Sequence, residues 1–293
     1  MSNNSVYIYK KSKDEDGKVT FKRSRYQLMG YEFLKKRKND NIRGGSPAVS
    51  CSRKKLKAQQ KSWSLKEGWP VIYDQGSIGS CTANAFCSSF RYLCYDKLFD
   101  PSRLYVYYKT RSLEQEGELV DSGAWVVDAY NWVSSKGVCC EKLWPYDISK
   151  VNVSPPAECD QDSLKHIARG YYQVKIDDNL KNTIGWCLVQ NRPVLMAFGV
   201  YKSFTQIGDD GICPLPNPKD YYENYDDTLD PFYGGHEVVI IGFDDEKRLY
   251  TVVNSWGSDW GNNGYFYMPY EFVDNPKLVY DFGVVIGTEC NQH

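Results

Sequence analysis

The apolar residues of this chain change their period near residue 165. Before that point Phe86, Phe90 and Leu93 recur at i, i+4, i+7 and predict a helix over Thr82–Lys97. Ser102–Glu114 and Gly123–Ser135 read as two further helices, the second stopped by Gly137. Beyond residue 165 one more helix is expected over Asp177–Gln190. Strands are expected over Pro193–Val200, Glu237–Phe243, Leu249–Asn254, Gly264–Met268 and Phe282–Gly287, with a polar turn inside Gly242–Leu249. A helical half followed by a sheet-rich half predicts an α+β protein of two packed lobes. The helical lobe is expected at about 62–165, the sheet-rich lobe at about 166–293, and an active-site cleft between them.

The first sixty-one residues are a different kind of sequence. They hold 17 Lys and Arg against 5 Asp and Glu, a net of +12, while the whole chain sums to −1. The body therefore carries a net of −13. Short strands are expected at Val6–Tyr9 and Val19–Phe21, a short helix at Tyr26–Lys36, and a linker at Gly44-Gly45-Ser46-Pro47. A basic arm of this sort suggests nucleic acid, but no recognition fold accompanies the charge, and the acidic body is an equally good partner. Apolar runs such as Val194–Val200 and Val238–Ile241 are too short to span a bilayer. The polar start Met1–Ser5 has no apolar h-region, which leads us to expect an intracellular protein.

Ten cysteines include no C-x-x-C pair, which argues against a structural zinc, and no metal or other cofactor is expected. A disulfide framework is possible by number, but free buried thiols are the preferred reading. Cys81 needs separate treatment. It ends the glycine-punctuated loop Asp74–Ser80 and opens the first strong helix, where the helix dipole favours thiolate. Most cysteines so placed are inert. Gln75, on the same loop, could turn its amide toward the sulfur and form an oxyanion hole with the Cys81 N–H. Only three histidines are available as its base. His293 is the terminal residue and His166 has no polar cluster around it. His236 follows Gly234-Gly235 at the entrance to a buried strand.

The remaining element is Asn254-Ser255-Trp256-Gly257-Ser258-Asp259-Trp260-Gly261-Asn262-Asn263-Gly264-Tyr265. Together with Gln75–Cys81 and Gly235-His236, in that order, it resembles the papain and cathepsin family of cysteine peptidases over about residues 63–290. Gly79–Ala85 is similar to a subgroup known from bacteria and large DNA viruses. The resemblance implies a papain-like fold with a β-barrel-like sheet lobe. It implies a catalytic Cys81, His236 and Asn254, with Gln75 in the oxyanion hole. Substrate would be bound at Ser122, Gly123, Gly235 and Trp256, with the Gly123 backbone pairing with the peptide and Trp256 covering the Asn254–His236 contact. Two departures stand out. Ile78 replaces the family's half-cystine beside the nucleophile, and Thr82 replaces the usual aromatic after it. An insertion at about Gln206–Phe232 lengthens the approach to His236.

The implied activity is hydrolysis of peptide bonds in peptides or proteins through a thiolate–imidazolium pair. Two alternatives use the same residues or the same arm: acyl transfer to an amine instead of water, and nucleic-acid binding. The resemblance to mature enzymes begins near Trp63, so residues 1–61 have the position of an inhibitory prosegment and 62–293 that of the peptidase domain. The acidic insertion, with Asp209, Asp210, Asp220, Glu223, Asp226, Asp227 and Asp230 against Lys219, is the expected partner of the basic arm.

Overall fold

A computed structural model describes residues 5–13, 19–29, 48–49, 60–217 and 230–290. Its organising element is helix α1, Cys81–Leu93, in which every residue from Cys81 to Phe90 is buried. A helix can be buried all round only if other elements cover each of its faces. Small residues (Ala83, Ala85, Ser88, Ser89) let neighbours approach, and Phe86 and Phe90 fill the core. Each such aromatic contributes about 1.5–3 kcal/mol by its burial. On one side pack α2 (Arg103–Glu114) and α3 (Val126–Lys136). On the other lie β7 (Phe232–Asp244) and β10 (Val279–Cys290).

These two strands belong to an eight-stranded sheet. The others are β3 (Ala48–Val49), β4 (Ser62–Ser64), β5 (His166–Val174), β6 (Val194–Tyr201), β8 (Leu249–Val253) and β9 (Tyr265–Pro269). Its order is β3-β5-β10-β6-β7-β8-β9, with β4 also on β7. All pairs are antiparallel except β3 with β5. The short helices α4 (Ala157–Ser163) and α6 (Tyr270–Val273) and the longer α5 (Leu180–Val189) complete the body. No helix among the described residues is long and apolar enough to cross a membrane.

Several expected boundaries shift for visible reasons. Helix α3 begins at Val126 rather than Gly123, because the preceding loop is held against α1. The Asp121 carboxylate accepts from Gly79 N–H at 2.8 Å, and Thr82 Oγ1 donates to Ala124 O at 2.7 Å. Helix α1 ends at Leu93 rather than Lys97, since Cys94 turns out of the helix to join Cys290. That bridge corrects the free-thiol expectation for this pair. Its Cα atoms lie 6.2 Å apart across a separation of 196 residues, a pairing that no local spacing announces. Cys81, Cys87, Cys139, Cys140, Cys159, Cys187 and Cys213 form no disulfide among the described residues, and Cys51 lies outside them. His166, expected in a bare position, is buried in β5 and stacked on Phe99 at 3.8 Å.

The arm is also more ordered in pattern than its composition suggests. Strands β1 (Ser5–Lys13) and β2 (Val19–Gln27) pair antiparallel, with Ser5 opposite Gln27. The helix expected over Tyr26–Lys36 does not begin at Tyr26: Tyr26 and Gln27 end β2, and Met29 forms an isolated antiparallel bridge with Gly235. Backbone pairing across to another strand requires extended conformation, so the tertiary partner overrides the local tendency. Residues 30–36 lie outside the described residues.

Gly137 closes α3 with φ 75°, and a Cβ there would sit 1.7 Å from Ser163 O. We expect Gly137→Ala to destabilise the protein by about 2–4 kcal/mol, since strain and backbone overlap act together. Gly287→Ala, with nothing within 4 Å, should change little. Urea unfolding of the two variants checks the difference.

Candidate active site

Helix α1 presents its first turn to β7. Its Ser80 cap makes no side-chain hydrogen bond to the helix N–H groups. The Ser80 hydroxyl instead accepts from Asn84 Nδ2 at 3.0 Å and pairs with Tyr146 Oη. The first N–H donors are therefore left facing the Cys81 sulfur, as the dipole argument requires. Cys81 is wholly buried, and burial pushes its thiol up to about 12. The Glu237 backbone N–H and the Thr82 N–H and hydroxyl work against that rise, while the Glu237 carboxylate adds to it. Glu237 is the next residue after His236 on β7, so the sulfur lies beside the histidine's own strand.

His236 is also wholly buried. Its Nε2 is 2.7 Å from Asn254 Oδ1. The same oxygen accepts from the Ser255 backbone N–H at 2.8 Å. A backbone N–H can only donate, which fixes the Asn254 amide with its oxygen toward both partners. Nε2 must then carry the proton, and Nδ1 is the basic nitrogen. Nδ1 has no hydrogen-bond partner among the described residues. Burial holds the ring down at about 4, with the Asn254 contact opposing the shift in part. In the covered site burial therefore works against both ionised forms, raising the thiol and lowering the imidazole in opposition to the helix dipole. The physical reason is desolvation, which outweighs the dipole when neither group touches water.

Trp256 stacks on the His236 ring with centroids 5.0 Å apart, and Gln75 completes the ring of groups. Gln75 Oε1 accepts from Ser255 Oγ at 2.7 Å, so its Nε2 is aimed the other way, at carbonyl oxygens of Ile78 (3.1 Å) and Gln27 (3.2 Å). Residues Gln75, Gly235, His236, Asn254 and Trp256 thus converge beside Cys81. Ser122 does not join them, because its hydroxyl accepts from Gln115 Nε2 at 3.1 Å. Gly123 lies on the cleft but does not offer its N–H. That donor is taken by the Tyr107 hydroxyl at 3.2 Å.

The cleft is occupied by the arm. Tyr26 stacks on Trp256 at 4.9 Å, and its hydroxyl donates to Trp256 O at 3.1 Å. Met29 exchanges both backbone hydrogen bonds with Gly235 at 2.9 Å, and its side chain lies against Gly123. Leu28 packs on Gly234. Lys10 bridges Asp74 at 2.8 Å and Asp259 at 3.0 Å. These two carboxylates, on the described residues, receive the arm's charge. Most of the acidic insertion, including Asp220, Glu223, Asp226 and Asp227, lies outside the described residues, and Asp230 caps Ser203 N–H and Asn217 N–H. The roles of Asp74, Asp259, Ser255 and Glu237 were not read from sequence. Their only signal was adjacency to Gln75, Trp256, Asn254 and His236.

Known proteins carry the same architecture. The pattern of the papain family cysteine proteases matches residues 58–275. An uncharacterised peptidase C1-like protein of Acanthamoeba polyphaga mimivirus is 34% identical over 224 residues, covering 72% of this chain and 68% of the relative. Xylellain, a cysteine protease from Xylella fastidiosa, superposes with a TM-score of 0.70 at 30% identity, over 85% of this chain and 94% of that one. Digestive procathepsin L 3 of Tenebrio molitor shares the fold at 19% identity, with a TM-score of 0.62 over 89% and 83% of the two chains. The helices and antiparallel sheet are those of the α+β papain-like fold, and the enzyme class is hydrolase. The chain belongs to the papain family of cysteine proteases.

A thiol wholly buried, beside a cleft that Tyr26 and Met29 fill, and pushed up to about 12 should react slowly. In the full chain we expect Tyr26→Ala to raise the rate of Cys81 alkylation by iodoacetamide on the order of tenfold at neutral pH. Peptide mapping of the labelled cysteines measures it.

Proposed function

We propose that this chain is a peptidase with Cys81 as nucleophile, His236 as acid–base and Asn254 as the group that orients the histidine, held latent by residues 5–29. The observation that carries the reading is the fixed Asn254–His236 pair, whose one basic nitrogen is left over while a segment of the same chain fills the cleft. In the uncovered enzyme the Nδ1 of His236 takes the thiol proton, and the sulfur attacks a peptide carbonyl. Gln75 Nε2, which here donates to the Gln27 carbonyl, would donate to the developing oxyanion. His236 returns the proton to the leaving amine, and a water then releases the acyl group by the reverse route. Hydrolysis rather than transfer is the default where water can enter.

Separate roles predict separate losses. Cys81→Ala and His236→Ala should each remove peptidase activity, while Asn254→Ala should lower kcat/KM only about 10- to 100-fold, because it orients without making or breaking a bond. Equal, complete loss in a folded Asn254→Ala enzyme would reject that role. Fluorogenic-peptide kinetics on matured variants provide the comparison.

Latency should depend on pH in a definite direction. His236 is held near 4 when covered and returns toward its ordinary 6.5 when uncovered, so opening takes up a proton between those values. The closed state is therefore fully favoured above about 6.5 and loses that advantage as pH falls toward 4. Cys81 acts in the opposite sense, from about 12 back toward 9.0, and opening releases a proton as pH rises through that interval. We expect the full chain to be most latent between about pH 6.5 and 9, with activation and linker cleavage accelerating toward about pH 5. A full chain as active before processing as after it, at every pH, would falsify the strap reading.

A further inference from the structure

Among the described residues of the arm, Lys10 is the side chain that enters the body as a buried charge. It is only 6% exposed, yet its two partners remain 46% and 47% exposed. The site that holds it belongs to the body. Asp74 immediately precedes Gln75 and forms an isolated bridge with Trp256, while Asp259 follows on the loop after Trp256. Asp74 Oδ1 is tied by Gly76 N–H at 2.9 Å, which leaves Oδ2 directed at Lys10. Between the carboxylates lies Gly257, with φ 82°. A Cβ there would stand 2.9 Å from Asp259 Oδ1, 3.0 Å from Lys10 Nζ and 3.1 Å from Asp74 Oδ2. The missing side chain is what makes room for a cation. Arg103 pairs with Glu141 at 3.1 Å and meets Asp74 through its backbone O at 3.4 Å, not its carboxylate, while Arg91 pairs with Asp100 at 2.8 Å. Among the described residues neither Asp74 nor Asp259 has an ion pair other than Lys10.

When the arm leaves, two carboxylates aimed at one point lose their counter-charge. Their position fixes which part of a substrate meets them. His236 must reach the leaving amine to protonate it, so the leaving portion passes on the His236 side of the sulfur. Trp256 stacks on that histidine, and Asp74 and Asp259 flank Trp256. Resting on the latency reading above, we propose that Asp74 and Asp259 form a subsite for a Lys or Arg side chain carried by the leaving portion of the substrate, and that Lys10 occupies it in the closed enzyme. A long aliphatic stem ending in a cation fits the place that Lys10 takes between the two carboxylates. Peptides with basic residues after the cut are then the favoured substrate class.

The test uses the full chain, folded with its arm and then nicked in the linker between residues 44 and 60. Internally quenched peptides differing only by Lys, Arg, Gln or Glu at each of the first few positions after the cut are compared by kcat/KM. At low salt one position should favour Lys or Arg over Gln by about five- to tenfold, as two half-exposed carboxylates acting together allow. The preference should shrink with added salt. In the Asp74→Asn/Asp259→Asn enzyme the Lys-to-Gln ratio should fall to about one. Cleavage with a ratio near one at every position in the unsubstituted enzyme would overturn the subsite while leaving the peptidase reading intact. A Lys preference that survives the double substitution would overturn it as well. Failure to cleave any peptide would sink the peptidase reading and the subsite with it.

Discussion

The position of Cys81 depends on α1 having no solvent face along its first ten residues. Burial on all sides forces the helix between α2 and α3 on one flank and β7 and β10 on the other. That position brings its uncapped first turn against the strand that carries His236. A more amphipathic α1 would have sat on the surface, where the same cysteine would be a plain thiol. The bridge from Cys94 to Cys290 ties the far end of this helix to β10, so both ends are held by the sheet. Precision at the site follows from close packing: interiors of this density transmit a displaced side chain to its neighbours.

The strap shows how a strongly charged segment can be used sparingly. Net +12 on the arm favours encounter with the acidic body over long range. Among the described residues, its seated contacts are mostly neutral: a Tyr26–Trp256 stack, paired backbone at Met29 and Gly235, and apolar packing of Leu28 and Met29. Lys10 is the exception, and it is matched by two carboxylates rather than one. Charge therefore guides the segment, while shape and backbone pairing set its register.

Covering the site has an electrostatic consequence that the dipole of α1 cannot offset. Removing water from Cys81 and His236 disfavours both ionised forms, so the same contacts that block the cleft also disarm the pair. Asn254 and Ser255 keep the imidazole in one tautomer throughout, and Gln75 stays aimed at a carbonyl oxygen. Uncovering would change the ionisation without rebuilding the site.

The sequence by itself indicated the three main helices of the first half, most strands of the second, the α+β plan, and Gln75, Cys81, His236 and Asn254 as candidate site residues, but not strand β5. Those were legible because periodicity is local, and because glycines, a helix start and a Trp-Gly-rich turn mark the site along the chain. Only the tertiary structure decided the rest. Tyr26–Gln27 became strand because an extended partner, Gly235, was available to Met29 just beyond them. Ser122 turned to Gln115, and the Gly123 N–H went to Tyr107, through contacts that no spacing encodes. Cys94 found Cys290 across 196 residues. The rise of the Cys81 thiol and the fall of the His236 ring belong to this second group, because desolvation depends on what covers a residue and not on what precedes it in the chain.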